Sequence, residues 1–293
     1  MQIVLHTGAH NTDDGRLMRC LLRNRGDFKK RGVAVPAPGS YRTLIRDALH
    51  AMNKDNPNPS MDAREILLDE MLDDEQADRI LLSNNSFFGV PKTAIKKGMF
   101  YPYAEMKLAK FTKLFPGDQI ELFMGIRDPA SFLPVMFSDS PETDFETFME
   151  GADPRDMRWS NLISRIRNTV PDISITVWCN EDTPMIWAQL IREMAGLEHN
   201  EKIIGGFDLL SDIMTREGMK RFRAYLKSHP TMSEVQKRRV ISAFLDKFAI
   251  EDEIEDELDL PGWTSEFVDE LSEIYDEDVF QIARIPGVQI IAP

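Results

Sequence analysis

The sequence predicts an α/β fold with a mostly parallel central sheet, helices on both faces and a helical C-terminal subdomain. Three observations lead there. Short apolar, β-branched runs alternate with segments of helical periodicity along the first two thirds of the chain, the pattern of strand-helix-strand units that build parallel sheets. After Gly205 the alternation stops and only helical periodicity remains. The chain has 293 residues, 42% of them hydrophobic, enough to bury a large core in one big domain or two modest ones. The expected division is therefore an α/β core over 1–204 and a helical subdomain over 205–293 packed on it.

The first strand is "IVLH" from Ile3, followed by a loop, "TGAHNTDDG", and a helix from Arg16 to Arg25. On that helix Leu17 and Leu21 oppose Arg16, Arg19 and Arg23, whose i, i+3, i+7 spacing reads as a solvated face able to guide an anion toward the loop. The second strand is "VAVP" from Val33, and helices follow over Tyr41 to Met52 and Ala63 to Leu72, separated by the turn-rich "NKDNPNPS" from Asn53. "RILLS" from Arg79 is the third strand. A long connection, "FFGVPKTAIKKGMFYPY", carries Lys92, Lys96 and Lys97 to a helix over Glu105 to Leu114 and the fourth strand, "QIELFMGI" from Gln119. Asp128 then reads as an N-cap, with Pro129 at the first helical position. A helix from Trp159 to Asn168, the fifth strand "SITVWC" from Ser174 and a helix from Pro184 to Ala195 complete the core. Beyond Gly205, Thr231 with Glu234 forms a capping box for "SEVQKRRVISAFLDKF", and Thr264 opens the last amphipathic helix.

Charge is distributed unevenly. The net charge is -14, and the segment from Glu251 to Asp278 holds fourteen Asp and Glu with no Lys or Arg, so the remaining residues balance to zero. This acidic segment 251–278 reads as a solvated surface or as a docking surface for a basic protein partner. Within the first 31 residues seven basic side chains face three acids, and screening confines exposed charges to about 8 to 10 Å, so a local anion site survives the global excess. No basic patch is interleaved with aromatic residues, which argues against nucleic acid as a partner. No run of eighteen apolar residues exists, so no membrane partner is expected. Cys20 and Cys179 are the only cysteines and suggest neither a disulfide framework nor a zinc site; the chain reads as cytoplasmic, with no metal. No G-x-S-x-G, H-E-x-x-H or complete G-x-x-x-x-G-K-[ST] motif is present.

In open parallel sheets ligands sit at the carboxyl ends of strands, which directs attention to the loop from His6 to Gly15 and to Arg127. Strand, glycine-containing loop and helix is the beginning of a phosphate cradle, because a helix N-terminus presents unpaired N–H groups and about half a positive charge. A guanidinium at a neighbouring strand end suits a pair of phosphate oxygens. Asp13 and Asp14 run against this. Each would repel a phosphate by nearly ~3 kcal/mol at about 6 Å and an effective dielectric of about 20, and each is able to cap the helix itself.

"VLHTGAHNTDDGRLMRCLLRNRGDFKKRGVAVPAPGSYR" resembles the start of bacterial sulfotransferases of the P-loop superfamily, in which a strand ends in His-x-Gly-x-His-Lys-Thr-Gly-Thr-Thr; His6, Gly8, His10 and Thr12 match. "MGIRDPASFLPVMFSDS" is similar to the second signature of that family, with Arg127, Asp128 and Pro129 matching. "VWCNEDTPMIWAQLIREMAG" and "YDEDVFQIARIPGVQIIAP" extend the resemblance over most of the chain. The resemblance implies a three-layer P-loop-type fold and sulfuryl transfer from 3'-phosphoadenosine 5'-phosphosulfate (PAPS) to a hydroxyl or amine of an unspecified small-molecule acceptor. Gly8, His10, Asn11, Thr12 and Gly15 would then surround the 5'-phosphate, and Arg127, with Ser131 and Ser138 nearby, the 3'-phosphate. The sequence departs from the pattern at functional positions. Asn11 replaces the loop lysine, Asp13, Asp14 and Gly15 replace Gly-Thr-Thr, and Val135 holds the place of the usual serine. Asn84 and Asn85 stand where relatives often carry Ser-Glu, leaving His10 and His50 as candidate bases. The readings at this point are a working sulfotransferase, a donor-blind relative that binds another ligand or a protein, and a metal-assisted phosphoryl enzyme using Asp13 and Asp14, for which no third carboxylate is placed.

Overall fold

The computed structural model describes residues 1–52, 58–73, 76–253 and 260–293. In chain order the elements are β1 (Gln2–His6), α1 (Arg16–Lys29), β2 (Val33–Ala34), α2 (Pro38–Ala51), α3 (Ala63–Leu72), β3 (Arg79–Ser83), α4 (Pro91–Ala94), β4 (Ile95–Lys96), β5 (Met99–Phe100), α5 (Ala104–Leu114) and β6 (Gln119–Ile126). There follow α6 (Pro129–Ser138), α7 (Phe145–Phe148), α8 (Trp159–Thr169), β7 (Ser174–Cys179), α9 (Thr183–Ala195), α10 (Asp208–Ile213), α11 (Arg216–Ser228), α12 (Glu234–Phe248), α13 (Ser265–Ala283) and β8 (Val288–Ile290).

Six strands form one parallel sheet in the order β2-β3-β1-β6-β7-β8. In β1, Ile3 sits opposite Ile80 on one side and Ile120 on the other. The period of two decides what covers each face. Val4, Leu81, Phe123 and Trp178 pack beneath α1 and α9. Ile3, Leu5, Ile80, Leu82, Leu122, Met124, Ile175 and Val177 pack against α2, α3, α5, α6, α8 and α13. Both faces are buried, which explains why these strands read as nearly continuous apolar runs rather than as alternating ones. The chain leaves β1 toward the β2 edge and then returns across the sheet from β3 to β6 and β7, so that α1 covers one face, later joined by α9, and α2, α3, α5, α6 and α8 cover the other. A crevice opens at the carboxyl ends of the strands where this reversal occurs.

The strands expected at Arg79, Gln119 and Ser174 have the observed bounds, and the second is shortened to two residues at the sheet edge, before Pro36 with its missing N–H. Helix alone beyond Gly205 is corrected. The region is largely helical, but Val288–Ile290 adds a sixth parallel strand beside β7, with Ile175 opposite Val288 and the Ile291 N–H donating to the Val177 carbonyl at 2.9 Å. Three residues are too few to show a period. The long connection from Phe87 contains the β4–β5 hairpin, turned by Lys97 and Gly98 at φ 51° and 68°, both left-handed as a two-residue hairpin turn requires.

The expected capping box of Thr231 and Glu234 shifts by two residues: Ser233 accepts from the Gln236 N–H and Gln236 returns to the Ser233 N–H. Thr264 caps α13 as expected, accepting from Phe267. The arginines of α1 do not form a purely solvated face. Arg23 pairs with Asp208 and Arg16 lies 3.8 Å from Asp212, both on α10, so the stripe is a polar seam between α1 and the C-terminal helices.

The C-terminal region divides in two. Helices α10, α11 and α12 surround their own core of Leu210, Met214, Met219, Phe222 and Ile241. Helix α13 instead joins the main core through Tyr275 and Ile282. Its Asp278 accepts from the N–H groups of Trp159 and Ser160, at 2.6 and 3.1 Å, and from the Ser160 hydroxyl, capping α8 from outside. Residues 53–57 of the stretch from Asn53 and 254–259 of the acidic segment 251–278 lie outside the described residues, so that part of the expected docking surface does too. Among the described residues no helix is long and apolar enough to cross a membrane.

Candidate functional site at the carboxyl ends of the strands

The loop after β1 begins as a continuation of the sheet. The N–H groups of Thr7 and Ala9 donate to the carbonyls of Phe123 and Gly125, at 3.1 and 2.8 Å. Gly8 then turns with φ +59°, and a Cβ there would lie 3.0 Å from Thr12 Oγ1 and 3.3 Å from His6 Nε2, so the turn requires glycine. Asn11 and Asp14 are left-handed as well, a conformation that short polar side chains tolerate.

The two loop carboxylates separate. Asp13 turns inward and is 8% exposed, its Oδ2 accepting the Leu17 N–H of the first turn of α1 at 3.1 Å and its Oδ1 accepting from Asn85 Nδ2 at 3.2 Å. Asp14 is exposed, and its carbonyl takes the Arg19 guanidinium. One carboxylate fills the helix N-terminus; the other faces outward.

Arg127 is 8% exposed and joins this loop to the start of α6. Its Nε donates to Ser131 Oγ and its Nη1 to the Asn11 carbonyl, both at 2.9 Å. Asp128 caps α6 as expected, accepting from the Ala130 N–H at 2.8 Å. The structure thus brings Gly8, His10, Asn11, Thr12, Gly15, Arg127 and Ser131 together. It does not bring His50 with them. Ser138 is exposed at the last residue of α6, beside Asp139, whose Oδ2 accepts from Asn11 Nδ2 at 2.8 Å. His50 is exposed in the last turn of α2, whose Tyr41 meets the end of β3 through the Ser83 carbonyl; nine residues of helix separate the two by about 13 Å. His10 is buried beside Tyr101, its Nδ1 2.7 Å from the phenol oxygen, and burial lowers its pKa against the pull of Asp139 and the Gly89 carbonyl.

Sequence reasoning passed over a polar pair beneath the loop. His6 is fully buried, with Nδ1 2.9 Å from Ser83 Oγ and its ring stacked on Trp178. Burial lowers its pKa, and Asp13 opposes that shift. His6 Nε2 and Thr7 Oγ1 are buried with no partner among the described residues. The alternation of β1 held the signal, since His6 falls on the same buried face as Val4.

Above these loops lies a cleft of about 610 Å³. Asn11, Thr12, Asp13, Asp14 and Arg16 form one side, and Arg127, Asp128 and Ser131 the next. Asn180, Glu181 and Thr183, at the end of β7, form a third. Met185 and Trp187 of α9, Leu209 and Ile213 of α10 and Leu245 of α12 supply an apolar wall. Glu181 is exposed as a residue, yet both its oxygens are held, one by the Asp128 N–H at 2.9 Å and one by the Tyr275 hydroxyl at 3.2 Å. Burial raises the pKa of Glu181, Asp128 and Asp182, pushes the Cys179 thiol up to about 12, and raises the Tyr275 phenol. The "NED" that ends the fifth strand was open to the same strand-end rule that singled out Arg127. Among the described residues no three His, Cys, Asp or Glu side chains are placed to hold a metal ion.

No family model and no curated protein matches the chain.

Proposed function

We propose that the chain is a ligand-binding protein on a sulfotransferase-like scaffold of the P-loop type, with its donor cradle closed by its own side chains. The observation that carries this reading is the Asp13 carboxylate on the Leu17 N–H, at the helix terminus where a donor phosphate would sit. The residues do not fit PAPS. Asn11 stands in place of the lysine, Arg127 is engaged by the Asn11 carbonyl and Ser131, and a nucleotide phosphate would meet Asp13 at close range. What remains is a cleft with apolar and polar walls, of a size suited to a small organic molecule.

One observation favours the alternative, sulfuryl transfer from PAPS to a hydroxyl or amine. The N–H groups of Asn11, Thr12 and Gly15 have no protein acceptor among the described residues, and His6 Nε2 is unpartnered beneath the loop, so donors for an anion persist. Calorimetric titration with 3'-phosphoadenosine 5'-phosphate separates the two. The native protein should bind it weakly or not at all, and the variant Asn11→Lys, Asp13→Gly, Asp14→Thr should bind about tenfold more tightly or better, since two repulsive charges leave and one attractive charge arrives. Tight binding by the native protein supports transfer instead. A folded variant that gains nothing removes Asp13 as the obstacle.

A further inference from the structure

We infer that the cleft over the ends of β6 and β7 takes an organic cation, an amine carried on an apolar body. The inference rests on the reading that this cleft is a ligand site rather than a nucleotide site. The sign of charge comes first. Asp13, Asp14, Asp128, Glu181 and Glu253 line the cleft against Arg16 and Arg127. Arg127 already holds a carbonyl and a hydroxyl, and Arg16 inclines toward Asp212.

Asp128 and Glu181 are bonded by neutral donors, the Ala130 N–H and Ser272 hydroxyl for one and the Asp128 N–H and Tyr275 hydroxyl for the other. Among the described residues neither is in a direct salt bridge, and Arg127 acts on Asp128 only as a neighbouring charge. Burial raises the pKa of both, and for Glu181 the Asp128 charge adds to it, while Arg127 offsets the shift at Asp128 only in part.

A second, independent feature points the same way. Thr183 lies in the wall of the cleft, is 4% exposed, and its hydroxyl meets no partner among the described residues. It offers an acceptor to an ammonium N–H. The N-terminus of α9 opens nearby and favours an anion, but its effective half charge is outweighed by five carboxylates against two guanidiniums. Met185, Leu209, Ile213 and Leu245 add apolar surface to the lining, suited to a hydrocarbon body.

The test titrates the full chain with 2-phenylethylamine and with two controls of similar shape, neutral 2-phenylethanol and anionic 3-phenylpropionate. The amine should bind saturably, the alcohol about tenfold more weakly, and the carboxylate not measurably. Amine affinity should rise with pH as the cleft carboxyls, whose pKa values burial raises, lose their protons. The double variant Asp128→Asn, Glu181→Gln, folded by circular dichroism, should lose about fivefold or more in affinity for the amine. Equal binding of amine and alcohol, preference for the carboxylate, or no saturable amine binding overturns the inference on the native protein alone; an unchanged affinity in the folded double variant removes these two residues from it. Parallel titration with 3'-phosphoadenosine 5'-phosphate keeps the two proposals distinct. If neither ligand binds, the cation inference fails and donor exclusion stands; if the nucleotide binds tightly, donor exclusion fails whatever the amine does.

Discussion

The ends of β1 and of β6–β7 both place carboxyl groups at helix N-termini, and they use them differently. At β1, Asp13 takes a first-turn N–H of α1 and the Asn85 amide, and the loop that carries it is tied by Arg127 through the Asn11 carbonyl. At β6 and β7, Asp128, Glu181 and Asp182 crowd together near Asp276, and burial raises all three pKa values. The first carboxylate is part of the loop's architecture. In the second group Asp128 and Glu181 are hydrogen-bonded by neutral donors and sit where burial still disfavours their charge. A strand-end acid near a helix terminus is therefore not one kind of feature, and its neighbours decide whether it serves stability or binding.

The contrast breaks most readily at Arg127. Replacing it with Ala strands the Asn11 carbonyl and the Ser131 hydroxyl, so we expect a loss of about 2 to 3 kcal/mol, the range for charge-assisted hydrogen bonds in a buried setting. Urea unfolding measures it, and an unchanged midpoint would mean that Arg127 does not hold the two loops together. Asp13→Ala comes next, with a cost of about 1 to 2 kcal/mol for a lost first-turn acceptor. Asp14→Ala, at an exposed position, should stay within about 0.5 kcal/mol of the native protein. Equal costs at Asp13 and Asp14 would contradict the inward and outward placement of the two side chains.

Much of the fold was legible because its signals are local and repeated. The runs from Arg79, Gln119 and Ser174 are long, apolar and β-branched, and Asp128-Pro129 and Thr264 announce helix starts by their own chemistry. What escaped depends on partners distant in sequence. Val288–Ile290 becomes a strand only because β7 offers an unpaired edge, and the α1 arginines find Asp208 and Asp212 only after α10 has docked. Ser233 displaced Thr231 as a cap because both lie within one short polar stretch, where propensity alone does not choose. At the site, Arg127 and the loop from Gly8 to Gly15 were legible as neighbours, since both follow adjacent strands. The division of labour between Asp13 and Asp14 was not, because it depends on the left-handed turns at Asn11, Asp14 and Gly15.

The smallest expected effect probes the second half of the contrast, and it is read from its pH dependence. Burial raises the pKa of Asp128 in the folded chain above its unfolded value of about 3.9, so between those two values the folded chain binds more protons than the unfolded one. Stability at this group therefore falls as pH rises through that window and stays reduced above it. Asn at the same place keeps the helix cap, since its oxygen accepts from Ala130 and its amide donates to Ser272, and it carries no charge. Asp128→Asn should accordingly gain stability relative to the native protein on moving from about pH 3.5 to pH 7. His6 and His10 act in the opposite sense, because their lowered pKa values give stability that is full above about pH 6.5 and lost as pH falls. They are common to both proteins and cancel in the difference. The measurement is the gap between native and variant urea midpoints at the two pH values. A gap that does not move, or that moves the other way, would show that the Asp128 charge is as well satisfied as that of Asp13, and the distinction between the two strand ends would be lost.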